Sequence, residues 1–256
     1  MFRRRLIGSI VEGIDGRRAS HDVIRFDSQN SIDVINFNYT IIFDNLFYGT
    51  GNIDDRWFDF NVEGKQCEFS IGSVNHVHGT LMSGNTLFGV SSPEQIVDEN
   101  ARKLSEKTGM LIKSNLDKER NGFLYRGAEG SLENSEVVVA FGTSFGGSDK
   151  FWWNKLAELI IRKPEFRLYI FPYSPRPQAI TNTVDRALLQ SEWRGKFLSS
   201  ISDEMDRGTY SKLVANMYKI EVLSCGPFMR LATGEKLLGD PLDLNYFAKK
   251  LNTFNL

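Results

Sequence analysis

Three short segments place side chains suited to binding or activating a ligand directly after apolar runs. They are residues 34–40 (Val-Ile-Asn-Phe-Asn-Tyr-Thr), 74–79 (Val-Asn-His-Val-His-Gly) and 137–149 (Val-Val-Val-Ala-Phe-Gly-Thr-Ser-Phe-Gly-Gly-Ser-Asp). In α/β proteins with parallel sheets, ligands bind beyond the carboxyl ends of the strands. We therefore predict that the three segments line one site.

The third segment is typical of a loop that holds a nucleotide. Glycine allows close backbone approach, and Thr143 and Ser144 offer hydroxyl groups. A helix that begins near Ser148 would add the positive end of its dipole. The pattern predicts that Gly142, Thr143 and Ser144 contact a phosphate or ribose. The alternative is a structural turn in which Ser148 or Asp149 caps the helix.

His76 and His78 are two residues apart on a predicted strand, so their side chains face the same side. Such a pair can bind a metal ion, but no carboxylate or cysteine cluster adjoins it, and we predict no metal site. Imidazole exchanges protons near neutral pH, so a general base is the second interpretation. A structural histidine beside Gly79 is the third.

Asn38 follows the first predicted strand, and Asn36 lies on the same face if that strand is regular. An asparagine amide can hold a water molecule or a ribose hydroxyl. Asparagine at a strand end also commonly closes an Asx turn, and this alternative stays open.

Composition excludes several classes of protein. The chain has 256 residues and a net charge of −1, which disfavours non-specific nucleic-acid binding by clustered basic residues. Its one basic cluster is at residues 3–5. Cys67 and Cys225 match no metal-binding spacing and predict no structural disulfide. Without an apolar run of about 18 residues or a signal-peptide pattern, the sequence predicts a soluble cytoplasmic protein.

Periodicity predicts the elements that position these side chains. The clearest is a βαβ unit at 136–172, with a helix from about 148 to 162. Further strands are predicted at 32–37, 67–71, 74–78, 86–90 and 218–223, and further helices at 3–14, 44–47, 93–104 (with Ser92 as N-cap), 179–202, 209–217 and 244–251. We interpret 49–66 as an irregular excursion with aromatic anchors, and 113–134 as loops with a partial helix.

Taken together, these motifs resemble the AbiH family of phage abortive-infection proteins. The similarity lies in residues 37–40 (Phe-Asn-Tyr-Thr), 76–79 (His-Val-His-Gly) and 141–145 (Phe-Gly-Thr-Ser-Phe), followed by Ser-Asp at 148–149 and Trp-Trp at 152–153. Their order also resembles, more distantly, the sirtuin-like NAD-binding superfamily. The resemblance covers about residues 32–175, and we expect 176–256 to complete the same single domain.

The resemblance implies a Rossmann-like α/β fold, with a mostly parallel sheet flanked by helices, and an antiphage role. By analogy with sirtuin-like NAD hydrolases, it implies a glycohydrolase that cleaves the bond between nicotinamide and ribose. Asn38 would then position the attacking water or the ribose, and His78 would be the general base. Residues 142–144 would contact the nucleotide, together with Asn36, Tyr39 and Gly79. NAD is the implied substrate or ligand, a phage or host protein the implied trigger, and a homo-oligomer is compatible with these features.

One departure from the family pattern concerns the start of the chain. AbiH proteins usually begin with a strand and a Gly-Asn-Gly-Phe-Asp type of loop, whereas the residues before Ile32 contain only isolated glycines, Gly8, Gly13 and Gly16. We therefore expect an N-terminally truncated member, or the downstream part of an interrupted gene, that lacks part of the NAD site. The alternative functions are a non-catalytic module that senses a nucleotide or binds a partner, and a decayed family member. A nuclease is disfavoured by the near-neutral charge.

Overall fold

A computed structural model describes residues 29–41, 44, 57–62, 65–83, 86, 88–90, 92–113, 115–116, 122–172, 183–201 and 205–223. The strands are β1 (Gln29–Asn36), β2 (Trp57–Val62), β3 (Lys65–His76), β4 (Val137–Phe141), β5 (Arg167–Phe171) and β6 (Ile220–Val222). The helices are α1 (Glu99–Thr108), α2 (Gly122–Asn134), α3 (Lys150–Arg162), α4 (Thr183–Ile201) and α5 (Arg207–Ala215), with short 3₁₀ turns at Pro93–Gln95, Gly147–Asp149 and Met217–Lys219. The helices predicted at 3–14 and 244–251, and nearly all of that at 44–47, lie outside these residues.

The described strands form two three-stranded sheets, in the orders β1-β3-β2 and β4-β5-β6. β1 is parallel to β3, and all of the β4-β5-β6 sheet is parallel, whereas β2 is antiparallel to β3. The predicted mixed α/β, Rossmann-like class is confirmed. Its strands are divided between two small sheets.

The first sheet, β1-β3-β2, differs from the sequence predictions at two places. Part of the predicted excursion at 49–66 is strand β2, because its apolar and polar residues alternate from Phe58 to Val62, as in a strand with two different faces. β3 is continuous across the predicted gap between 71 and 74. There the register against β1 shifts between Ile32 and Val34, and the Asp33 carboxylate accepts hydrogen bonds from the Ser73 N–H (2.7 Å) and Oγ (3.0 Å).

The predicted βαβ unit is present as β4, α3 and β5, with β4 and β5 parallel. α3 buries one face because apolar residues recur at helical spacing along it: Trp152, Trp153, Leu156, Ala157, Leu159 and Ile160. β5 is buried along most of its length, which explains its continuous apolar run. β6 adds a third parallel strand, shorter than the predicted 218–223.

Several helix boundaries differ from the predictions. The helix predicted at 93–104 is divided into a 3₁₀ turn at Pro93–Gln95 and the first part of α1, because Asp98 accepts a hydrogen bond from the Ala101 N–H and starts a new helix at Glu99. Ser92 makes no side-chain capping bond. α2 is a complete helix within the region 113–134, where loops with a partial helix were predicted. α4 and α5 agree with prediction to within a few residues. Over its described residues, the strand predicted at 86–90 is only a single bridge from Val90 to Ile112.

One hydrophobic core joins the elements that carry the three segments. Val77, directly after β3, is buried in the same cluster as α3, β5 and β6. Ile35 in β1 and Phe37 just after it pack against this cluster. The ends of β1 and β3 are thereby anchored to the βαβ unit. None of the described helices combines the length and apolar character that crossing a membrane requires.

Candidate functional site

The carboxyl ends of β1 and β3 lie side by side. Their last paired residues are Asn36 and His76, so the segments that follow the two strands leave the sheet at the same edge. Gly79 adopts a φ of 71°, a left-handed conformation that glycine tolerates, and its N–H donates to the His76 carbonyl at 3.0 Å. This turn ends the strand and directs His78 towards the interior.

His78, Asp149 and Lys113 form a buried polar cluster. The His78 Nε2 lies 2.8 Å and the Lys113 Nζ 3.0 Å from the same carboxylate oxygen, Oδ1 of Asp149. Ser148 Oγ donates to the other oxygen, Oδ2, at 3.0 Å. His78 is 2% and Lys113 6% exposed. A hydrogen bond therefore connects the segment after β3 with the loop after β4.

The charge state of Asp149 follows from its partners. Burial raises the pKa of the Asp149 carboxyl, but the hydrogen bond from His78 and the positive charge of Lys113 lower it more, so the pKa is below its ordinary value. Asp149 is therefore ionised at neutral pH. The buried lysine has its countercharge, as burial of an ammonium group requires.

Two aromatic rings pack near the imidazole of His78. The ring centroids of Phe37 and Tyr39 lie 5.6 and 6.1 Å from that of His78. Phe37 also contacts Trp152 and Trp153 at the start of α3, at 6.0 and 5.7 Å. All three chemically suggestive segments therefore meet around His78.

His76 has a separate set of partners. Its Nε2 lies 2.7 Å from Asp44 Oδ2, and its Nδ1 lies 3.3 Å from the backbone carbonyl oxygen of Asn38. The two histidines therefore face different carboxylates, although they were expected to share one strand face. β3 ends at His76, so the alternation of a strand does not extend to His78. The described residues hold no group of three or more potential metal-ligating His, Cys, Asp or Glu side chains.

The two asparagines differ from each other in their surroundings. Asn36 is buried, and its Oδ1 accepts a hydrogen bond from the Asn38 N–H at 2.9 Å. This is an Asx turn, so the turn chemistry considered for Asn38 belongs to Asn36. β1 ends at Asn36, which means that the two side chains do not share a strand face. Asn38 itself is exposed.

The loop after β4 departs from regular backbone at Gly142 and Phe145. Gly142 has a φ of 68°, and its N–H donates to the Phe171 carbonyl at 3.1 Å, which continues the β4–β5 pairing. Phe145 has a φ of 54°, rare for a bulky residue, and is held by burial against Trp153, whose ring centroid lies at 5.0 Å. Thr143 Oγ1 accepts from the Phe145 N–H at 3.2 Å.

The backbone donors available in this loop are fewer than the sequence suggests. The Gly142 and Phe145 N–H groups are already bonded, whereas those of Thr143 and Ser144 have no acceptor among the described residues. Asp149 precedes α3 without making a side-chain capping bond, because its carboxylate faces His78 and Lys113. The interpretation of Asp149 as a simple helix cap is therefore wrong.

The sequence reasoning missed three charged side chains of this region. Asp149 was noted only as a cap or family motif, while Lys113 and Asp44 were not singled out. The backbone N–H of Lys113 donates a hydrogen bond to the Val90 carbonyl at 2.9 Å, which positions this residue. The segment around it has no regular pattern of apolar residues. Asp149 was the sequence signal from which the cluster could have been found. An acidic residue beside the apolar start of a helix needs a charged or hydrogen-bonding partner when it is buried.

The arrangement provides an ionised carboxylate bonded to a buried imidazole, an exposed amide at Asn38 and two backbone donors at Thr143 and Ser144. A carboxylate–imidazole pair orients a base for proton transfer. Backbone N–H groups in a loop before a helix suit an anion. These are elements from which a nucleotide site can be built.

Comparison with known proteins identifies the family. The family model described as bacteriophage abortive infection AbiH matches residues 3–171, about two thirds of the chain. The match begins earlier than the region of about 32–175 indicated by the motifs, and it includes His78, Lys113 and Asp149. No curated protein and no solved structure matches the chain. The chain therefore belongs to the AbiH family of bacteriophage abortive-infection proteins, which assigns it an antiphage role.

Proposed function

We propose that the chain carries out its antiphage role by hydrolysing NAD at the nicotinamide–ribose bond. The observation that supports this is the meeting of three strand-end segments around His78, through its 2.8 Å hydrogen bond to Asp149 and its ring contacts with Phe37 and Tyr39. Removal of NAD would halt the metabolism of an infected cell, which fits abortive infection.

The reaction requires a positioned water and a base. The C–N bond between ribose and nicotinamide breaks, and its electron pair goes to the ring nitrogen, which becomes neutral. A water oxygen bonds to the ribose carbon and gives up a proton to the imidazole of His78. The exposed amide of Asn38 would orient that water or a ribose hydroxyl.

The phosphates of NAD would lie against the loop after β4. The N–H groups of Thr143 and Ser144, which have no acceptor within the described part of the chain, would be the donors for them, and the exposed Ser144 hydroxyl can add a further hydrogen bond. The N-terminal end of the following helical segment favours negative charge. The N–H of Gly142 is already bonded and would not bind a phosphate. Gly142 would instead contribute to the site by letting the ligand approach the backbone, through its positive φ and its open surroundings.

A second candidate is a nucleotide-sensing module without catalysis. It is favoured by the burial of His78, which is only 2% exposed and has its Nε2 on Asp149. In this function, ADP-ribose or NAD would bind at the same loops and remain intact. Binding without turnover is its distinguishing property.

The test measures NAD loss and nicotinamide release by the full chain. We expect His78→Ala to lower turnover by about 10²–10⁴-fold, the usual contribution of a general base. Asn38→Ala should lower turnover as well, whereas Asn134→Ala, which changes an exposed asparagine at the end of α2, should not. Turnover unchanged by both His78→Ala and Asn38→Ala would refute the hydrolase. Calorimetric binding of ADP-ribose without any NAD loss would establish the second candidate.

A further inference from the structure

Asn38 lies in a bend after β1 ends at Asn36, so the sheet does not fix its position. Its backbone is held by hydrogen bonds instead. The Asn38 N–H donates to Asn36 Oδ1 at 2.9 Å, and the Asn38 carbonyl oxygen lies 3.3 Å from Nδ1 of His76. One residue later, the Tyr39 carbonyl accepts from the Leu81 N–H at 2.9 Å. The placement of the exposed Asn38 amide therefore depends on these bonds.

The bond between His76 and Asn38 has a defined direction. A backbone carbonyl oxygen can only accept a hydrogen bond, so Nδ1 of His76 must carry a hydrogen and donate it. Nε2 of the same ring lies 2.7 Å from Asp44 Oδ2. A hydrogen lies between these two atoms as well, whether the ring donates it to an ionised carboxylate or a protonated carboxyl donates it to the ring. The direction of the bond to Asn38 is the same in both cases.

The ring of His76 is itself held in place. His76 is the last residue of β3, is paired with Asn36 of β1 and is 7% exposed. In the described part of the chain its ion pair is with Asp44, whose side chain is partly buried. A ring that is bonded at both nitrogens cannot rotate without losing one of the two bonds. Asp44 therefore keeps Nδ1 directed at the Asn38 carbonyl.

We propose that His76 is a positioning residue, which places the Asn38 amide in the site by donating its Nδ1–H to the Asn38 carbonyl while Asp44 holds the ring. The contribution of Asn38 to the reaction rests on the proposed hydrolase, whereas the bond that places Asn38 rests on the geometry alone. The two histidines then have different tasks, because His78 would serve as the base and His76 acts on the reaction through Asn38.

Two amide substitutions separate the two ring nitrogens. The side-chain nitrogen of asparagine is as many bonds from Cβ as Nδ1 of histidine, and that of glutamine is as many bonds from Cβ as Nε2. His76→Asn therefore keeps a donor for the Asn38 carbonyl and loses the contact with Asp44, whereas His76→Gln does the reverse. Both replace the imidazole by a neutral amide, so each is the matched control for the other.

Nuclear magnetic resonance of the full chain labelled with ¹⁵N and ¹³C tests the bond without reference to activity. The ¹⁵N spectrum should show hydrogen on Nδ1 of His76, with the signal assigned by its loss in His76→Gln. The ¹³C signal of the Asn38 carbonyl should move upfield in His76→Gln, because the carbonyl loses its donor, and should move less in His76→Asn. A lone pair on Nδ1 in the unchanged chain would overturn the inference. An Asn38 carbonyl signal that is the same in all three chains would do so too.

Kinetics of NAD hydrolysis test whether His76 acts through Asn38. We expect His76→Gln to lower kcat by about 10–100-fold, because a misplacement of about 1 Å can cost this much, and His76→Asn to lower kcat by less than about fivefold. When Asn38→Ala has already removed the amide, His76→Gln should lower kcat by less than about twofold further. A merely structural role of His76 would give the same loss with and without the Asn38 amide.

The results separate the two proposals. Hydrogen on Nδ1 of His76 and an Asn38 carbonyl that responds to His76→Gln, in a chain that releases no nicotinamide, would support the placement of Asn38 and refute the hydrolase. Nicotinamide release with an equal loss of kcat from His76→Gln in the unchanged and Asn38→Ala chains would support the hydrolase and refute the positioning role. Equal kcat in His76→Gln and His76→Asn would also contradict that role, because donation by Nδ1 would then not matter.

Discussion

Removal of the Asp149 carboxylate should destabilise the fold substantially. In Asp149→Ala, Lys113 and His78 would remain 6% and 2% exposed without their shared acceptor. A hydrogen bond to a charged group contributes about 1.5–3 kcal/mol, and the two from buried donors are lost, together with that from the exposed Ser148 hydroxyl. Asp149 is 17% exposed, so water can replace part of the lost solvation. We therefore expect a loss of about 3–4 kcal/mol, in line with the breaking of a buried pair.

Urea unfolding followed by circular dichroism measures this loss, and thermal unfolding should show a fall in Tm of about 6–15 °C for a chain of this size. The matched control is Glu106→Ala, which removes an exposed carboxylate on α1 and should change the free energy of unfolding by less than about 0.5 kcal/mol. A loss below about 1 kcal/mol in Asp149→Ala would refute the reasoning, because it would mean that the cluster is solvated.

A double mutant separates the ion pair from other effects. Lys113→Met alone leaves Asp149 without its cation, and Asp149→Ala alone leaves Lys113 without its anion. When both changes are combined, no unpaired charge remains between these two positions. The double mutant should therefore lose at least about 1 kcal/mol less than the sum of the two single losses. Additive losses would show that the two side chains do not interact.

The same cluster predicts the acid dependence of stability. The pKa of Asp149 is raised by burial but lowered further by His78 and Lys113, so it is lower in the folded than in the unfolded chain. The contribution of the Asp149 carboxylate to the free energy of unfolding is therefore complete at pH values above its ordinary pKa of 3.8. It is lost as the pH falls towards the lower pKa of the folded chain. Between about pH 5 and 2, the free energy of unfolding should fall less steeply in Asp149→Asn than in the unchanged chain. Parallel curves would contradict this linkage.

Three further substitutions test the fold around the site. Gly72→Ala would place a Cβ 2.4 Å from Asp33 Oδ1 and displace the carboxylate that bridges the β1–β3 irregularity, so urea unfolding should show a loss of about 1–3 kcal/mol. Asp98→Ala should cost about 1 kcal/mol because it removes the N-cap of α1, and Asp98→Ser should recover most of this. Lys219→Ala should lower the free energy of unfolding by about 1–3 kcal/mol, measured by thermal unfolding, because the buried ammonium donates to the Ile160 carbonyl at 2.7 Å near the end of α3. A smaller loss than in Asp98→Ala would contradict this structural role of Lys219.

The regular part of the fold could be predicted from the sequence because its signals are local. The apolar run of β4, the glycine at 142 and the apolar spacing of α3 specify strand, turn and helix within about 25 residues. β2 was missed because its aromatic residues were interpreted as loop anchors, although they alternate with polar ones. The 3₁₀ turn before α1 was missed because Asp98 competes with Ser92 as a start signal.

The candidate site was predictable only in part. The sequence determined which strand ends carry Asn38, His78 and the 142–144 loop, because strand ends and small residues are visible in one dimension. Only the tertiary structure decided that His78 and His76 face different carboxylates and that Asp149 turns away from capping α3 to meet Lys113. These choices depend on contacts between residues 32, 36 and 71 positions apart, where local patterns carry no information and burial of charge selects the partner.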